Sequence, residues 1–451
     1  MSKFNLNDEI CERLLSELSS YTLNEEYTQA ALKKLKEELE SIVAQSNEQE
    51  DRVAYKDYRH KSRPSFVYKI FKNISDGKDL TYDDMHDIVG TRLTCLTISD
   101  VYRVRDLIKE NSDIKVLEEK DYIANPKKSG YKSYHMIVEV PIETEEGTKR
   151  IKSEIQLRTI LMDIYAREEH KIRYKGHCTL EDGVILERLS NSLSLYDWIF
   201  ENSFEYDKIE KTESSEESLK PYRDTFDLLS GLYGDLHDKF EGFIKDLIDN
   251  YDGNKDVLHF ESRIKPLESI KRKIIKKGLH CTAEDMLYNI NDVLGFKVVC
   301  TDLATAKDFT KKLIEKINST EYLDLVKDSN HLDKPKEETG YRGYKLGVGF
   351  NMPLTPGKPI QFEILIRTLF MDAWTLHHDN IYKNEKAKAK YSEPFKRISD
   401  ELYAKEDDMA KLKGGIVEKG DDQLELYREL KEYKANKVRK LSLQNKQKTE
   451  E

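Results

Sequence analysis

One short stretch spaces its polar residues as a phosphate would need them: Arg59-x-Lys61-x-x-x-Ser65-x-x-x-Lys69. If the stretch is helical, positions 61, 65 and 69 share one face. Two ammonium groups and a hydroxyl on one face suit a polyphosphate. A solvated basic helix face would read the same way, but the pattern returns unchanged as Arg263-x-Lys265-x-x-x-Ser269-x-x-x-Lys273. Asp87 opens an apolar strand pattern, and Glu154 lies inside another, SEIQLRT. A carboxylate within an apolar strand needs a partner, because burying it alone is costly. Two carboxylates on adjacent strands could share a Mg²⁺, which bridges substrate phosphates. Salt bridges to Arg92 and Arg158 are the structural alternative. Asp292 and Glu363 repeat the pair, which favours the metal.

Gly130-Tyr131 follows Pro126-Lys127-Lys128-Ser129, a turn-rich basic stretch. A tyrosine held there could stack a base while lysines hold phosphates, or could be an ordinary core residue. His135 and His170 could each contact phosphate or sit satisfied in the core. The dipeptides His86-Asp87 and His378-Asp379 have the look of a metal-dependent phosphohydrolase, but the further His and Asp ligands of such a site are not evident.

These residues sit in a duplicated frame. DIVGTRLTC from Asp87 returns as DVLGFKVVC from Asp292, GYKSYH from Gly130 as GYRGYK from Gly340, and EIQLRTILMD from Glu154 as EILIRTLFMD from Glu363. Order and spacing are both kept, so a whole domain is repeated rather than a short solenoid unit. Each copy starts with an amphipathic helix: Leu32, Leu35, Leu39, Ile42 and Val43 share a face in the first, and Phe240, Phe243, Ile244, Leu247 and Ile248 in the second. A buried strand follows (88–98; 293–301), then a helix with a Ser/Thr-Asp start (Ser99-Asp100; Thr301-Asp302). Two more strand signals, YHMIVEVPI and KRIKSEIQLRT, lead into a further helix. Strands alternating with helices predict an α/β (α+β) domain with a mixed sheet. The predicted division is 1–205 and 221–413 for the two copies, a polar linker over 206–220, and a charged tail over 414–451 that is helical in part and disordered over its final residues. The two copies are expected to fold alike and to pack as an intramolecular pseudo-dimer.

At 451 residues the chain suits two domains with appendages. It is 38% hydrophobic and 35% charged, and 26 Tyr with 15 Phe supply core material, which excludes a disordered chain. No apolar run reaches the roughly 18 residues of a membrane span. Cys11, Cys95, Cys178, Cys281 and Cys300 are scattered without CxxC spacing, which predicts reduced thiols in the cytoplasm and no zinc site. A net charge of −10 argues against whole-surface attraction to nucleic acid while leaving room for a local basic cleft.

With the motifs collected, the chain resembles the RelA/SpoT family of alarmone synthetases. R-x-K-x3-S-x3-K, D-x-x-G-x-R, DYIANPKKSGYKSYH and E-x-Q-x-R-T stand in the family's order between Arg59 and Thr159. The resemblance covers about residues 50–200 well and about 240–410 more loosely. It implies a nucleotidyltransferase-like fold and Mg²⁺-dependent transfer of the β,γ-pyrophosphate of ATP to a ribose 3′-hydroxyl, with GDP or GTP as the usual acceptor. Some relatives act on adenine nucleotides or on the tRNA 3′ end; the acidic net charge weighs against tRNA. Carried over by position, Arg59, Lys61, Ser65, Lys69 and Arg92 would hold ATP, Asp87 would ligate Mg²⁺, and Glu154 would ligate it or act as base. Tyr131 would stack the acceptor base, with Lys127, His135 and Gln156 lining the acceptor side. The second copy keeps Arg263, Lys265, Ser269, Lys273, Asp292, Tyr341 and Glu363, but Lys297 replaces Arg92, Lys345 replaces His135 and Leu365 replaces Gln156. It is expected to have altered acceptor choice or reduced activity, or to regulate. A silent nucleotide sensor is the rival from outside the enzyme class, and retention of both carboxylates in both copies argues against it.

Overall fold

In the first repeat the chain winds α1 (Asp8–Leu23), α2 (Glu25–Ser46), β1 (Val53–His60), α3 (Arg63–Ser75), β2 (Val89–Cys95), α4 (Ile98–Glu110), β3 (Lys115–Asp121), β4 (Tyr134–Thr144), β5 (Gly147–Thr159), α5 (Ile160–Lys175) and α6 (Leu180–Phe204). The computed structural model describes residues 4, 6–46, 52–175, 180–204, 216–352, 358–382, 385–414 and 422–450. The five strands are ordered β1-β2-β5-β4-β3. Only β2 and β5 run parallel; their neighbours pair antiparallel. Side chains alternate across such a sheet. One face therefore buries Val89, Leu93 and Cys95 of β2, Ile155 and Leu157 of β5, and Met136, Val138 and Val140 of β4. They pack against Leu35, Leu39 and Ile42 of α2 and Val101, Val104 and Ile108 of α4. The intervening positions, Asp57, Arg59, Gly90, Arg92, His135, Glu154 and Gln156, fall on the opposite face by the same alternation.

Thr97 caps α4, not Ser99. Its hydroxyl accepts from the Asp100 amide while the Asp100 carboxylate accepts from Thr97, a reciprocal capping box that starts the helix two residues early.

The second repeat follows as α7 (Glu216–Asp249), β6 (Val257–Ile264), α8 (Leu267–Lys277), α9 (Ala283–Tyr288), β7 (Leu294–Cys300), α10 (Leu303–Asn318), β8 (Leu323–Asn330), β9 (Tyr344–Phe350), β10 (Ile360–Thr368), α11 (Leu369–Tyr382) and α12 (Glu385–Gly414). Its sheet order, β6-β7-β10-β9-β8, and its single parallel pair repeat the first topology. The expected α/β duplication is present as two separate mixed sheets. Phe240 and Ile244 of α7 and Phe309 and Leu313 of α10 fill the second core.

By packing, the chain divides into 1–197 with 412–451, and 198–411. The tail that the sequence sets apart thus belongs with the first unit. Its helix α13 (Asp422–Glu450) buries Leu426 and Leu430 in one cluster with Phe66, Val67 and Ile70 of α3. Helical backbone continues through 444–450, where disorder is expected from composition. Of the expected linker, 206–215 lies outside the described residues, and 216–220 is already helical in α7. Cys11, Cys95, Cys281 and Cys300 are free thiols, and Cys178 lies outside the described residues. Among the described residues no helix is long and apolar enough to cross a membrane.

Candidate active site

The basic motif does not form one helix face. Arg59 is still in β1, Lys61 lies in the connection, and only Ser65 and Lys69 are on α3. The break comes from Ser62, whose hydroxyl caps α3 and whose extended backbone precludes an earlier helical start. The Lys61 amide instead donates to the Ile88 carbonyl at 2.8 Å, which brings the connection against the residue after Asp87. Lys61 Nζ then reaches Asp87 Oδ2 at 3.0 Å, and Lys69 Nζ reaches Oδ1 at 2.8 Å. Burial would raise the Asp87 carboxyl, but Lys61 and Lys69 outweigh it and hold it below its ordinary value. Burial also lowers the Lys61 ammonium, only partly offset by Asp87. Asp87 thus neither pairs with Arg92 nor Arg158; its counter-ions are the two motif lysines.

Gly90 of the D-x-x-G-x-R motif faces Arg59 across the β1–β2 pair. A Cβ there would stand 3.3 Å from Arg59 Nε, tighter than side-chain carbons normally pack, so the glycine leaves room for the guanidinium to lie over the strand.

Farther along the same face, β4 and β5 set His135 opposite Gln156. His135 Nδ1 is 3.0 Å from Glu154 Oε1, and Gln156 Nε2 donates to Glu154 Oε2 at 2.9 Å. Burial would raise the Glu154 carboxyl, but its bond to His135 and the amide of Gln156 bring it below its ordinary value. The Tyr131 hydroxyl lies 2.8 Å from His135 Nε2 and accepts from Arg158 Nη2 at 2.5 Å. Lys127 Nζ sits 4.7 Å from the Tyr131 ring centre and 4.5 Å from that of Tyr122, which adds a second aromatic wall. His170 is exposed on α5.

Arg92, expected on ATP, faces two aspartates. Its Nη1 lies 3.1 Å from Asp163 and 3.5 Å from Asp57, and burial pushes its guanidinium down to about 10. It belongs to a buried network that the motifs alone do not reveal: Arg158 and Arg167 also bind Asp163, at 3.0 and 2.5 Å. Arg158 Nη2 further donates to Gln156 Oε1 at 2.7 Å, linking this network to Glu154 through the amide. The signal available in the sequence was the E-x-Q-x-R-T run continuing into Asp163, one helical turn before Arg167.

The second repeat reproduces the lysine bracket. Lys265 Nζ and Lys273 Nζ hold Asp292 at 2.8 and 2.6 Å, and the Lys265 amide bonds the Val293 carbonyl at 2.7 Å. Lys297, in place of Arg92, spans Glu261 and Asp372, each at 3.0 Å. Tyr341 keeps its arginine, Arg367, whose Nη2 donates to the hydroxyl at 3.3 Å. Glu363, however, is ion-paired to Lys345, and Leu365 offers it nothing.

A family profile described as a region found in RelA / SpoT proteins matches residues 58–179 and again 262–387. GTP pyrophosphokinase YwaC of Bacillus subtilis is 42% identical over 121 residues, 26% of this chain and 56% of that protein. GTP pyrophosphokinase YjbM of the same organism is 37% identical over 117 residues, again 26% of this chain and 56% of the relative. The matches therefore span little more than half the length of these relatives. The solved small alarmone synthetase 2 from Bacillus subtilis aligns at 32% identity with TM-score 0.36, covering 39% of this chain and 93% of that one. The two profile matches together cover more than half of the sequence, and the chain belongs to the RelA/SpoT family, carrying that family's region twice in tandem.

Proposed function

We propose that the first repeat is a pyrophosphokinase that transfers the β,γ-pyrophosphate of ATP to the 3′-hydroxyl of GDP or GTP. The observation that carries this reading is the facing of two halves across one sheet: a cationic cradle built on Asp87, and a carboxylate, Glu154, backed by His135 and Gln156. The names of the relatives, GTP pyrophosphokinases, support guanine nucleotides as acceptors.

Arg59, Lys61, Ser65 and Lys69 would bind the triphosphate of ATP. Lys61 and Lys69 then turn from Asp87 to phosphate oxygens, which frees Asp87. Asp87 and Glu154 fit a Mg²⁺: both are oxygen donors held below their ordinary carboxyl values, and the Asp87 charge is felt at Glu154. When bound, the ion would neutralise charge on the phosphates. Tyr131, beneath Lys127 and Arg158, offers a face for the acceptor base. Glu154 accepts the 3′-hydroxyl proton as that oxygen bonds to the β-phosphorus; the bond from the β-phosphorus to the α-phosphate oxygen breaks, and AMP leaves with the electron pair. Positioning and charge neutralisation supply most of the rate in such transfers. The free thiols are consistent with work in a reducing cytoplasm.

The test is incubation with γ-labelled ATP, Mg²⁺ and each of GDP, GTP, AMP, ADP and tRNA. Labelled guanosine product is the expected result. Product with adenine nucleotides or tRNA alone would move the acceptor assignment, and no product with any acceptor would defeat the reading.

A further inference from the structure

The two repeats share one half of the site and differ in the other. In the second, the lysine bracket around Asp292 is complete, and Arg263 lies alongside Gly295, its Nε 3.6 Å from where a Cβ would stand. Ser269 occupies the place of Ser65 in α8. The four residues proposed to bind triphosphate in the first repeat, Arg59, Lys61, Ser65 and Lys69, therefore all have counterparts.

The facing half has been rebuilt. Lys345 ion-pairs with Glu363 where His135 hydrogen-bonds Glu154. An imidazole can pass a proton near neutral pH, whereas an ammonium on a carboxylate holds a fixed cation on the group that would serve as base. Leu365 can neither donate nor accept, so the amide link from arginine to carboxylate is lost. The turn before the tyrosine changes sign as well. The Lys336 amide donates to the Tyr341 carbonyl at 2.9 Å, as Lys127 does to Tyr131 at 3.1 Å, so the two turns correspond. Lys127-Lys128-Ser129 has become Lys336-Glu337-Glu338-Thr339, and Lys336 Nζ lies 3.9 Å from its own neighbour Glu338. An acceptor bearing phosphates would meet one ammonium and two carboxylates there in place of two ammonium groups.

We propose that the second repeat is a donor-only site: it binds a nucleoside triphosphate through Arg263, Lys265, Ser269 and Lys273 and does not transfer it. This rests on the pyrophosphokinase reading of the first repeat, which identifies the donor half. A site that binds and does not turn over reports nucleotide level, and is paired in one chain with a site that consumes it.

The experiment is calorimetric titration of the full chain with Mg²⁺ and adenosine 5′-(α,β-methylene)triphosphate, whose carbon bridge replaces the bond that transfer breaks. Two sites per chain are expected, and one for the paired change Lys265→Ala and Lys273→Ala. Should that pair unfold, as circular dichroism would show, Lys273→Gln alone should weaken one of the two sites about tenfold or more. Labelling of GDP and GTP by Asp87→Asn should fall by about 10²–10³-fold, because the second repeat contributes none. A single site in the unmodified chain overturns the proposal, and so does near-normal product from Asp87→Asn. Failure of the first-repeat reading looks different: two sites are filled while the unmodified chain labels no acceptor.

Discussion

The Ser65 hydroxyl lies 2.5 Å from Gln423 Oε1, a hydrogen bond that joins α13 to the helix presenting the donor-side hydroxyl of the first repeat. The contact is backed by packing. Leu426 and Leu430 are 0% and 1% exposed against Phe66, Val67 and Ile70, and Tyr433 donates to Glu12 of α1 at 3.0 Å. The tail that follows the second repeat in sequence thus completes the core beneath α3.

Truncating Leu426 to alanine should therefore harm the first repeat. A buried leucine cut to alanine costs about 2–5 kcal/mol, depending on how far the site collapses. Thermal unfolding of Leu426→Ala should show the first unit melting earlier, by roughly 5–15 °C. The KM for ATP should rise more than that for the acceptor, since α3 carries Ser65 and Lys69. An unchanged melting curve would mean that α13 does not dock on α3.

Gly90→Ala is a test of fit rather than of chemistry. Its added carbon displaces the Arg59 side chain, and the flexible guanidinium can yield without unfolding the sheet. Weaker ATP binding with an unchanged melting temperature is the expected result, read by titration with the methylene analogue. Gly295→Ala should do less to the second site, where Arg263 Nε stands at 3.6 Å rather than 3.3 Å.

Asp87→Asn and Glu154→Gln keep shape and remove charge. Each should lower synthesis by about 10²–10³-fold, the order found when one preorganised electrostatic group is deleted, while circular dichroism stays native. Near-normal turnover in either variant would sink the assignment of that carboxylate.

Asp163 gives the protein an acid-labile point. Burial alone would raise its carboxyl, but Arg92, Arg167 and Arg158 together hold it well below 3.8. A carboxyl depressed on folding stabilises fully above its unfolded value and loses that contribution as pH falls toward its folded value. Stability should thus decline below about pH 4. Asp163→Asn should remove about 3–5 kcal/mol at neutral pH, because it leaves the buried Arg158 and the partly buried Arg92 and Arg167 with one fewer anion. It should also flatten the acid limb. Urea melts of both proteins at about pH 7 and about pH 3 make the comparison; equal acid sensitivity would place the labile group elsewhere.

Much of this molecule is written locally. The duplication, the strand patterns around Val89 and Ile155, and the recurrence of Asp87 and Glu154 as Asp292 and Glu363 are legible, because alternation and motif order depend on near neighbours in the chain. The changes at Lys345 and Leu365 are likewise visible as letters.

What the letters leave open is which charge meets which. Spacing suggests that Lys61, Ser65 and Lys69 form one stripe; the Ser62 cap separates them, and it takes the Lys61–Ile88 backbone bond to swing Lys61 back onto Asp87. Arg92 and Arg158 are, in the sequence, the alternative salt-bridge partners for Asp87 and Glu154. They turn instead to Asp163, which reaches them only because α5 starts directly from the end of β5 beside β2. The tail reads as charged and partly disordered, since two leucines in a polar helix bury little by themselves. Only the apolar face of α3 across the fold gives Leu426 and Leu430 something to cover. Sequence neighbours set the elements, whereas ion pairs and docked helices form between residues far apart in the chain, and their choice of partner is made by the packed sheet.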